Sequence, residues 1–510
     1  MDKKLSITID IGTTNSKVSL FEIKSGELLF RESFQTAKKT DEFGELFDVS
    51  VIWDQLLEIL IKIVAEHSGN IDSINISSVG EAGVLVNSYG EIVTPMIAWY
   101  DKRASDYVAA LNQEEKQRIY EITGLPAHTN YSIPKIKWLV NHLGLHEEKY
   151  TWLNVPDLFS YFLTNQMKTE FSMASRTMCF DLNRRCWSEE ILMMFGLQDV
   201  IEFPAVVSSG EIVGYTKTGA IYELKNEEIS VRIAGHDHMV GALGINLQDK
   251  DLLNSTGTTE GLLLIDDHPF LENKSFQESL SNGIFTDPNY FTLFSSMPTG
   301  GNAFEWYQNF FNINQRDFEK DCQNLYQRYL DGQISLEDPV ILIPHLNGSG
   351  APFKNGKSRG LMYGISLETR REDVLLGIIL GLCLEMKYVA TCFPMEQVNR
   401  VIAIGPVVKN PLWIQLKADA LNKEISVVKM EEAVSFGALK ASYSHFDYEI
   451  DYQIVQADPN QVQAFDRLLD KYSYLYESKR FLVDDNFHQS YFESKESQNR
   501  CTEAKEIFFS

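Results

Sequence analysis

The stretch ITIDIGTTNSKVSLFE, residues 7–22, is two apolar strands joined by a polar tip. The first strand ends on one carboxylate, Asp10. The chain then turns through Gly12-Thr13-Thr14, passes Lys17 and resumes as a second apolar run. A tight Gly-Thr turn presents backbone N–H groups and hydroxyls, both good donors to phosphate oxygens. Asp10, at the strand end, stands where a hydrated Mg2+ would be held against such phosphates, and Lys17 adds positive charge. The GxxxxGK[ST] pattern of a P-loop is absent. Taken alone, these residues also fit a polar hairpin turn without chemistry.

Working outward, residues 5–11, 17–23 and 27–34 read as strands, with Ser25-Gly26 marking a turn. Helical spacing follows over 51–66 through Val51, Ile52, Leu56, Ile59, Leu60, Ile63 and Val64, with Gly69 as a stop signal. A strand at 71–78 comes next, and the mixture predicts an α/β fold. DLLNSTGTTEGLLLI, 251–265, repeats the strand, Gly-Thr-Thr, strand order almost half a chain length later. A duplicated fold with one phosphate-binding hairpin per half would explain the echo and sets a boundary near residue 246. Residues 453–480 read as an aromatic helical segment. From 483 to 510 the chain turns polar, as a peripheral tail would.

Composition narrows the partners. The 510 residues exceed what one core organises, so two or three domains are expected. Hydrophobic residues at 44% and charged residues at 23% are ordinary for a soluble globular chain. A net charge of −25 repels phosphate backbones and anionic membranes, which argues against nucleic acid and membrane partners. The opening MDKKLSITID lacks the apolar run of a signal peptide, and the apolar run from Val374 to Met386 is too short for a bilayer. Six cysteines without a CxxC pair predict reduced thiols and a cytoplasmic protein.

A second informative stretch is VRIAGHDHMVGALG, 231–244. A carboxylate between two imidazoles at a strand-to-helix junction could act as general base toward a hydroxyl. Asp237 could equally cap the following helix, and His-x-His lacks a third metal ligand. Trp53, Trp138, Trp187, Trp306 and Trp413 sit in apolar surroundings and read as core. Trp99, in AWYDKR, borders polar residues and could stack on a sugar face. His128 and His345 lack a partner pattern and read as structural or exposed.

IDIGTTNSK, GHDHMVGALG, NSTGTTEG and KNPLWIQLKADALNKEISVV, in that order, resemble the FGGY carbohydrate kinases of the actin-like ATPase superfamily. PMIAWYDKRA (95–104), PKIKWL (134–139), PDLFSYFLTNQMKTEFSMAS, FDLNRRCW, TGGNAFEW (299–306), EEAVSFGALKAS (431–442) and QADPNQVQAFDRLLDKYSYLY extend the likeness over about residues 5 to 480. The resemblance implies two RNase H-like domains flanking a deep cleft: an N-terminal sugar-binding domain, 1–246, and a C-terminal ATP-binding domain, 247–482. It implies Asp237 as catalytic base and Asp10 as the metal-side carboxylate. Thr13, Thr14 and Lys17 would form the first phosphate loop, and Gly257, Thr258 and Thr259 the second. Gly405 and Asn410 would meet adenosine. Glu81, Trp99, Asp101 and His238 would contact the sugar or polyol. ATP and Mg2+ are the implied cofactors, and a homodimer is compatible with it.

The sequence departs from the family pattern in three places. Gly405-Pro406-Val407 replaces three consecutive glycines, so one N–H is lost and bulk is gained near the expected nucleotide. Leu380 stands where an acid is usual, which concerns packing. Gly80-Glu81-Ala82-Gly83 and His238 match neither the xylulokinase nor the glycerol kinase fingerprint. The expected function is ATP-dependent phosphorylation of a sugar, sugar acid or polyol, with a pentulose such as xylulose first. The alternative is a non-catalytic actin-like sugar or nucleotide sensor. A DNA-binding repressor lacks its helix-turn-helix before residue 5, and the sugar-side segment opposes a chaperone-like ATPase.

Overall fold

The opening stretch pairs as its alternation dictates. Strand β1 (Leu5–Ile11) lies antiparallel to β2 (Asn15–Glu22), with Asp10 opposite Lys17 across the ladder. The computed structural model describes residues 4–218, 224, 228–430, 432–443 and 450–480. The polar tail expected from 483, and Glu431, lie outside the described residues. The chain divides into two units that interleave in sequence. One takes Met1–Leu253, Leu263–Phe294 and Val428–Asp451; the other takes Asn254–Leu262, Ser295–Val427 and Tyr452–Ser510.

In the first unit a six-stranded sheet runs in the order Ile212–Tyr215, Ser230–His236, Ile71–Ser78, β1, β2 and β3 (Leu28–Gln35). β1, Ile71–Ser78 and Ser230–His236 are mutually parallel, so their carboxyl ends come together: Ile11 and His236 both pair with Ser78. β1 is buried along its whole length, as a central strand covered on both faces must be. Helix α1 (Val49–Glu66) buries Ile52, Leu56, Ile59, Leu60, Ile63 and Val64 against the sheet core, the face that the spacing predicts.

The helix Asp237–Gly244 starts where its strand ends and packs against the helix Ala433–Ser442. Glycines permit the approach. A Cβ on Gly437 would collide with the Val240 carbonyl, and one on Gly244 with Ala433.

In the second unit the apolar run is the helix Arg371–Ala390, buried from Val374 to Met386, with Leu380 fully buried. The parallel strands Arg400–Ile404 and Ile425–Val428 flank the helix Pro411–Leu421. The segment expected to be helical from 453 opens instead as a strand, Tyr452–Val455, and the helix begins only at Pro459. Ile454 and Val455 are β-branched, and proline suits a first helical position where no N–H partner is needed. The five described cysteines are free. Among the described residues, no helix is long and apolar enough to cross a membrane.

Candidate active site

Two parallel strands of the first unit deliver the acids. Asp10 ends β1, and Asp237 follows the last residue of Ser230–His236. Open α/β sheets bind ligands just beyond the carboxyl ends of such strands. Asp10 is 8% exposed, and its Oδ1 is buried without a hydrogen-bond partner among the described residues. Burial, then the charge of Asp237, pushes its carboxyl up to about 7, against the pull of Lys17. Asp237 keeps 20% of its side chain exposed, yet loss of water raises its pKa as well, opposed by His238. The two readings of Asp237 separate here. The cap position falls on His236, and among the described residues the Asp237 carboxylate accepts the adjacent His238 N–H, at 2.7 Å.

A buried chain fixes the junction. Ser172 Oγ donates to Glu170 Oε2 at 2.5 Å and accepts the His236 N–H at 2.9 Å. Gly235, at φ +124°, leaves no room for a Cβ against Ser172 and Glu170. Burial pushes the Glu170 carboxyl up to about 8, so it sits neutral at pH 7. Burial drives His236 well below its ordinary value, and its Nδ1 is buried without a partner among the described residues.

The first Gly-Thr-Thr tip closes with the Gly12 N–H donating to the Asn15 carbonyl at 3.1 Å. Thr36 fastens it, donating Oγ1 to the Gly12 carbonyl at 2.8 Å. Thr13 is half-buried and Thr14 exposed. Trp99 Nε1 donates to Thr13 Oγ1 at 2.9 Å, which joins a sugar-side candidate to a phosphate-side one. Lys17 stands 3.6 Å from Glu432.

The remaining sugar-side candidates differ in availability. His238 is exposed, and its ring lies 5.6 Å from that of Phe294. Glu81 is 7% exposed and accepts Arg176 Nε at 2.8 Å. Asp101 stands apart, because both its oxygens are occupied. Oδ1 accepts the Arg103 N–H and Nε, each at 2.9 Å, and Oδ2 accepts the Glu45 N–H at 2.8 Å. Burial would raise this carboxyl, but the bonds and charge of Arg103 hold it below its ordinary value. Asp101 therefore anchors a loop.

The second Gly-Thr-Thr tip, in the other unit, closes in the same way: the Gly257 N–H donates to the Thr259 carbonyl at 2.8 Å. Gly300 and Gly301, just before the helix Asn302–Phe311, donate to the Thr258 and Gly257 carbonyls at 3.0 and 2.8 Å. Thr258 and Thr259 are exposed. Behind the tip, Thr256 Oγ1 donates to the Ile404 carbonyl at 2.9 Å and accepts the Val407 N–H at 3.3 Å. Val407 is fully buried, so its bulk lies in the core, whereas Gly405 and Pro406 are exposed. Asn410 caps the helix Pro411–Leu421 by accepting the Trp413 N–H at 3.2 Å.

Residues 5–244 match the N-terminal domain of the FGGY family of carbohydrate kinases, and residues 252–444 match its C-terminal domain. The chain belongs to the FGGY family of carbohydrate kinases. Relatives include a glycerol kinase of Thermococcus kodakarensis, 24% identical over 88% of this chain and 90% of that one. A xylulose kinase of Staphylococcus xylosus is 25% identical over 85% of this chain and 89% of its own length. Among solved structures, a gluconate kinase from Lactobacillus acidophilus superposes with a TM-score of 0.82 at 21% identity, over 93% of this chain and 98% of that one. The fold is thus the α/β actin-like ATPase fold of these kinases. The FGGY kinase uses ATP as phosphoryl donor and an alcohol as acceptor.

Its donor set suits the divalent cation that a nucleoside triphosphate carries. The buried, orphaned Asp10 oxygen, whose carboxyl is pushed up by burial and then by the charge of Asp237, is a hard oxygen donor of the kind a divalent cation takes. The sequence reading missed Arg176 and Glu170. Arg176 meets Glu81, 95 positions away, and Glu170 reaches the His236 backbone only through Ser172, so neither motif signals the pairing.

Proposed function

We propose that this FGGY kinase transfers the ATP γ-phosphoryl group to a hydroxyl of a sugar, sugar acid or polyol, with Asp237 as general base. A pentulose such as xylulose is the first acceptor to try, since a xylulose kinase is among the relatives. The observation that carries the reading is the setting of Asp237. It follows the end of a parallel strand, does not serve as the helix cap, and shares its surroundings with Asp10, Glu81 and His238. A carboxyl with a raised pKa accepts a proton from an alcohol more readily than an ordinary one.

Residues 1–246 carry the sugar-side groups in this reading, and residues 247–482 the ATP-side groups. Thr13, Thr14 and Lys17, with Gly257, Thr258 and Thr259, supply donors and charge for phosphate oxygens. Gly405 offers an exposed backbone to adenosine. Asp10 would hold Mg2+, which when bound neutralises phosphate charge. Trp99 positions Thr13 and borders the acceptor. The test is ADP release across ketoses, polyols and sugar acids. One acceptor should stimulate release, and Asp237→Ala should lower that stimulated rate by about 10²–10⁴-fold. Stimulation unchanged in Asp237→Ala would refute the base assignment.

A further inference from the structure

The acceptor side of Asp237 holds an unusual turn. The Ala82 N–H donates to the Gly80 carbonyl at 2.8 Å, a three-residue turn centred on Glu81 at φ +65°. A side-chain-bearing residue at the centre of such a turn is strained, and strain of this kind persists only where the surroundings enforce it. They do so here. Ser132 Oγ donates to the Glu81 carbonyl at 3.1 Å, and a Cβ on Gly80 would approach the His236 ring to 2.6 Å. The turn aims the Glu81 carboxylate at Arg176, whose Nε and Nη2 both reach Oε1, at 2.8 and 2.6 Å. Arg176 is itself 9% exposed and lies over the Tyr131 ring at 5.2 Å.

The charge balance around Asp237 follows. The acids are Asp10, Asp237 and Glu81, and the exposed His238 stands beside Asp237 and opposes the rise of its pKa. Arg176 is already neutralised by Glu81. Lys17 stands beside Glu432, which also takes Arg31 at 2.5 Å. The buried Lys135 donates to the carbonyls of Trp99, Thr129, Asn130 and Tyr131, and burial pulls it down to about 7. Burial keeps His236 neutral. A carboxylate brought here would meet acids and no unpaired buried cation among the described residues. Both guanidinium contacts go to one Glu81 oxygen, which leaves Oε2 to accept a hydroxyl. A neutral polyhydroxyl ligand can donate a hydroxyl proton to that oxygen, whereas a carboxylate has no proton to give it and could reach Arg176 only by displacing Glu81.

We propose that Arg176, locked to Glu81, makes the acceptor site selective for neutral ketoses and polyols over aldonates and uronates. This inference rests on the kinase reading and narrows it to one acceptor class. Arg176 acts as a positioning residue, and Glu81 carries the discrimination.

The experiment measures kcat/KM for D-xylulose, D-ribulose and ribitol against D-gluconate and D-glucuronate, with calorimetric binding of the same panel. The best neutral acceptor should exceed the best acid by at least about 10²-fold. Glu81→Gln removes the anion and releases Arg176, so that ratio should shrink about tenfold or more, with KM for the acids falling. A purely structural role would lower Tm and leave the ratio unchanged. Equal or better turnover of an acid, or an unchanged ratio in Glu81→Gln, overturns the inference while leaving the kinase reading intact. Should no acceptor give Asp237-dependent ADP release, the kinase reading fails. The calorimetric panel then decides the inference: tighter binding of an acid overturns it, and tighter binding of a neutral compound upholds it.

Discussion

Trp99 Nε1 donates to Thr13 Oγ1 at 2.9 Å, tying the loop after Met96–Ile97 to the tip of the β1–β2 hairpin. The indole also lies edge-on to Tyr100, so it is held from two directions. The first Gly-Thr-Thr tip is therefore set by a residue whose sequence signal is a sugar-stacking aromatic. Trp99→Phe keeps a ring and drops the donor, and Thr13→Val drops the acceptor. A neutral hydrogen bond is worth about 1 kcal/mol, so each single variant should lose roughly fivefold in kcat/KM. The double variant should lose little more than either single one, because the two changes remove the same bond. Fully additive losses would show that the two residues act separately.

Glu170 gives the stability a pH signature. Its carboxyl is pushed from an ordinary 4.5 up to about 8 by burial, against the Ser172 and Met173 donors. Below pH 4.5 the folded and unfolded chains both hold this proton, and the contribution of the residue is fully present. As pH rises toward 8 the unfolded chain releases the proton while the folded chain keeps it, so the contribution is lost. Glu170→Gln carries no such proton. The stability of the wild type relative to Glu170→Gln should therefore fall between pH 4.5 and 8, read as a narrowing difference in Tm. A difference that grows with pH would mean the carboxyl is ionised in the fold.

Gly405 tests the nucleotide-side segment. Its φ is +90°, and an added Cβ would run into the Thr256 carbonyl. Gly405→Ala should cost about 1–3 kcal/mol in stability and weaken ATP binding by calorimetry. Pro406 is exposed at the start of a short 3-10 turn, so Pro406→Ala should leave Tm nearly unchanged. If Gly405→Ala binds ATP as tightly as the wild type, this backbone does not meet the nucleotide.

What the sequence disclosed follows a physical line. The β1–β2 hairpin, α1 over Val49–Glu66 and the strand Ile71–Ser78 were legible because each is local, its pattern repeating within one element. The family motifs pointed to Asp10 and Asp237 for the same reason, since each acid sits within one short stretch. The Glu81–Arg176 pair joins residues 95 positions apart and has no local signature. Asp101 keeps its motif position, but its oxygens are taken by the neighbouring Arg103 and by the Glu45 N–H, 56 positions away, a pairing the motif does not show. Val407 lies in the core, its backbone held by the Thr256 hydroxyl, a partner 151 positions away that its sequence neighbours do not reveal. The strand Tyr452–Val455 was hidden by the stronger helical pattern that follows it.

Lys417 and Glu260 form a fully buried pair directly behind the second Gly-Thr-Thr tip, with side chains 0% and 1% exposed. Asn254 Oδ1 accepts a further Lys417 hydrogen bond at 3.0 Å, and Asn254 Nδ2 donates to Glu260 Oε1 at 2.7 Å. Glu260 follows Thr259 directly, so this network holds the base of the hairpin in register. Removing one partner of a buried pair strands the other charge in a medium that cannot solvate it. Lys417→Met should cost about 3–5 kcal/mol, measured by urea denaturation. Replacing both as Lys417→Met with Glu260→Gln removes the stranded charge and should recover part of that loss. It should also restore ATP affinity if the hairpin register is what the pair protects. A double variant no more stable than Lys417→Met would mean the lysine acts through its packing against Trp413 and Met386 rather than through charge.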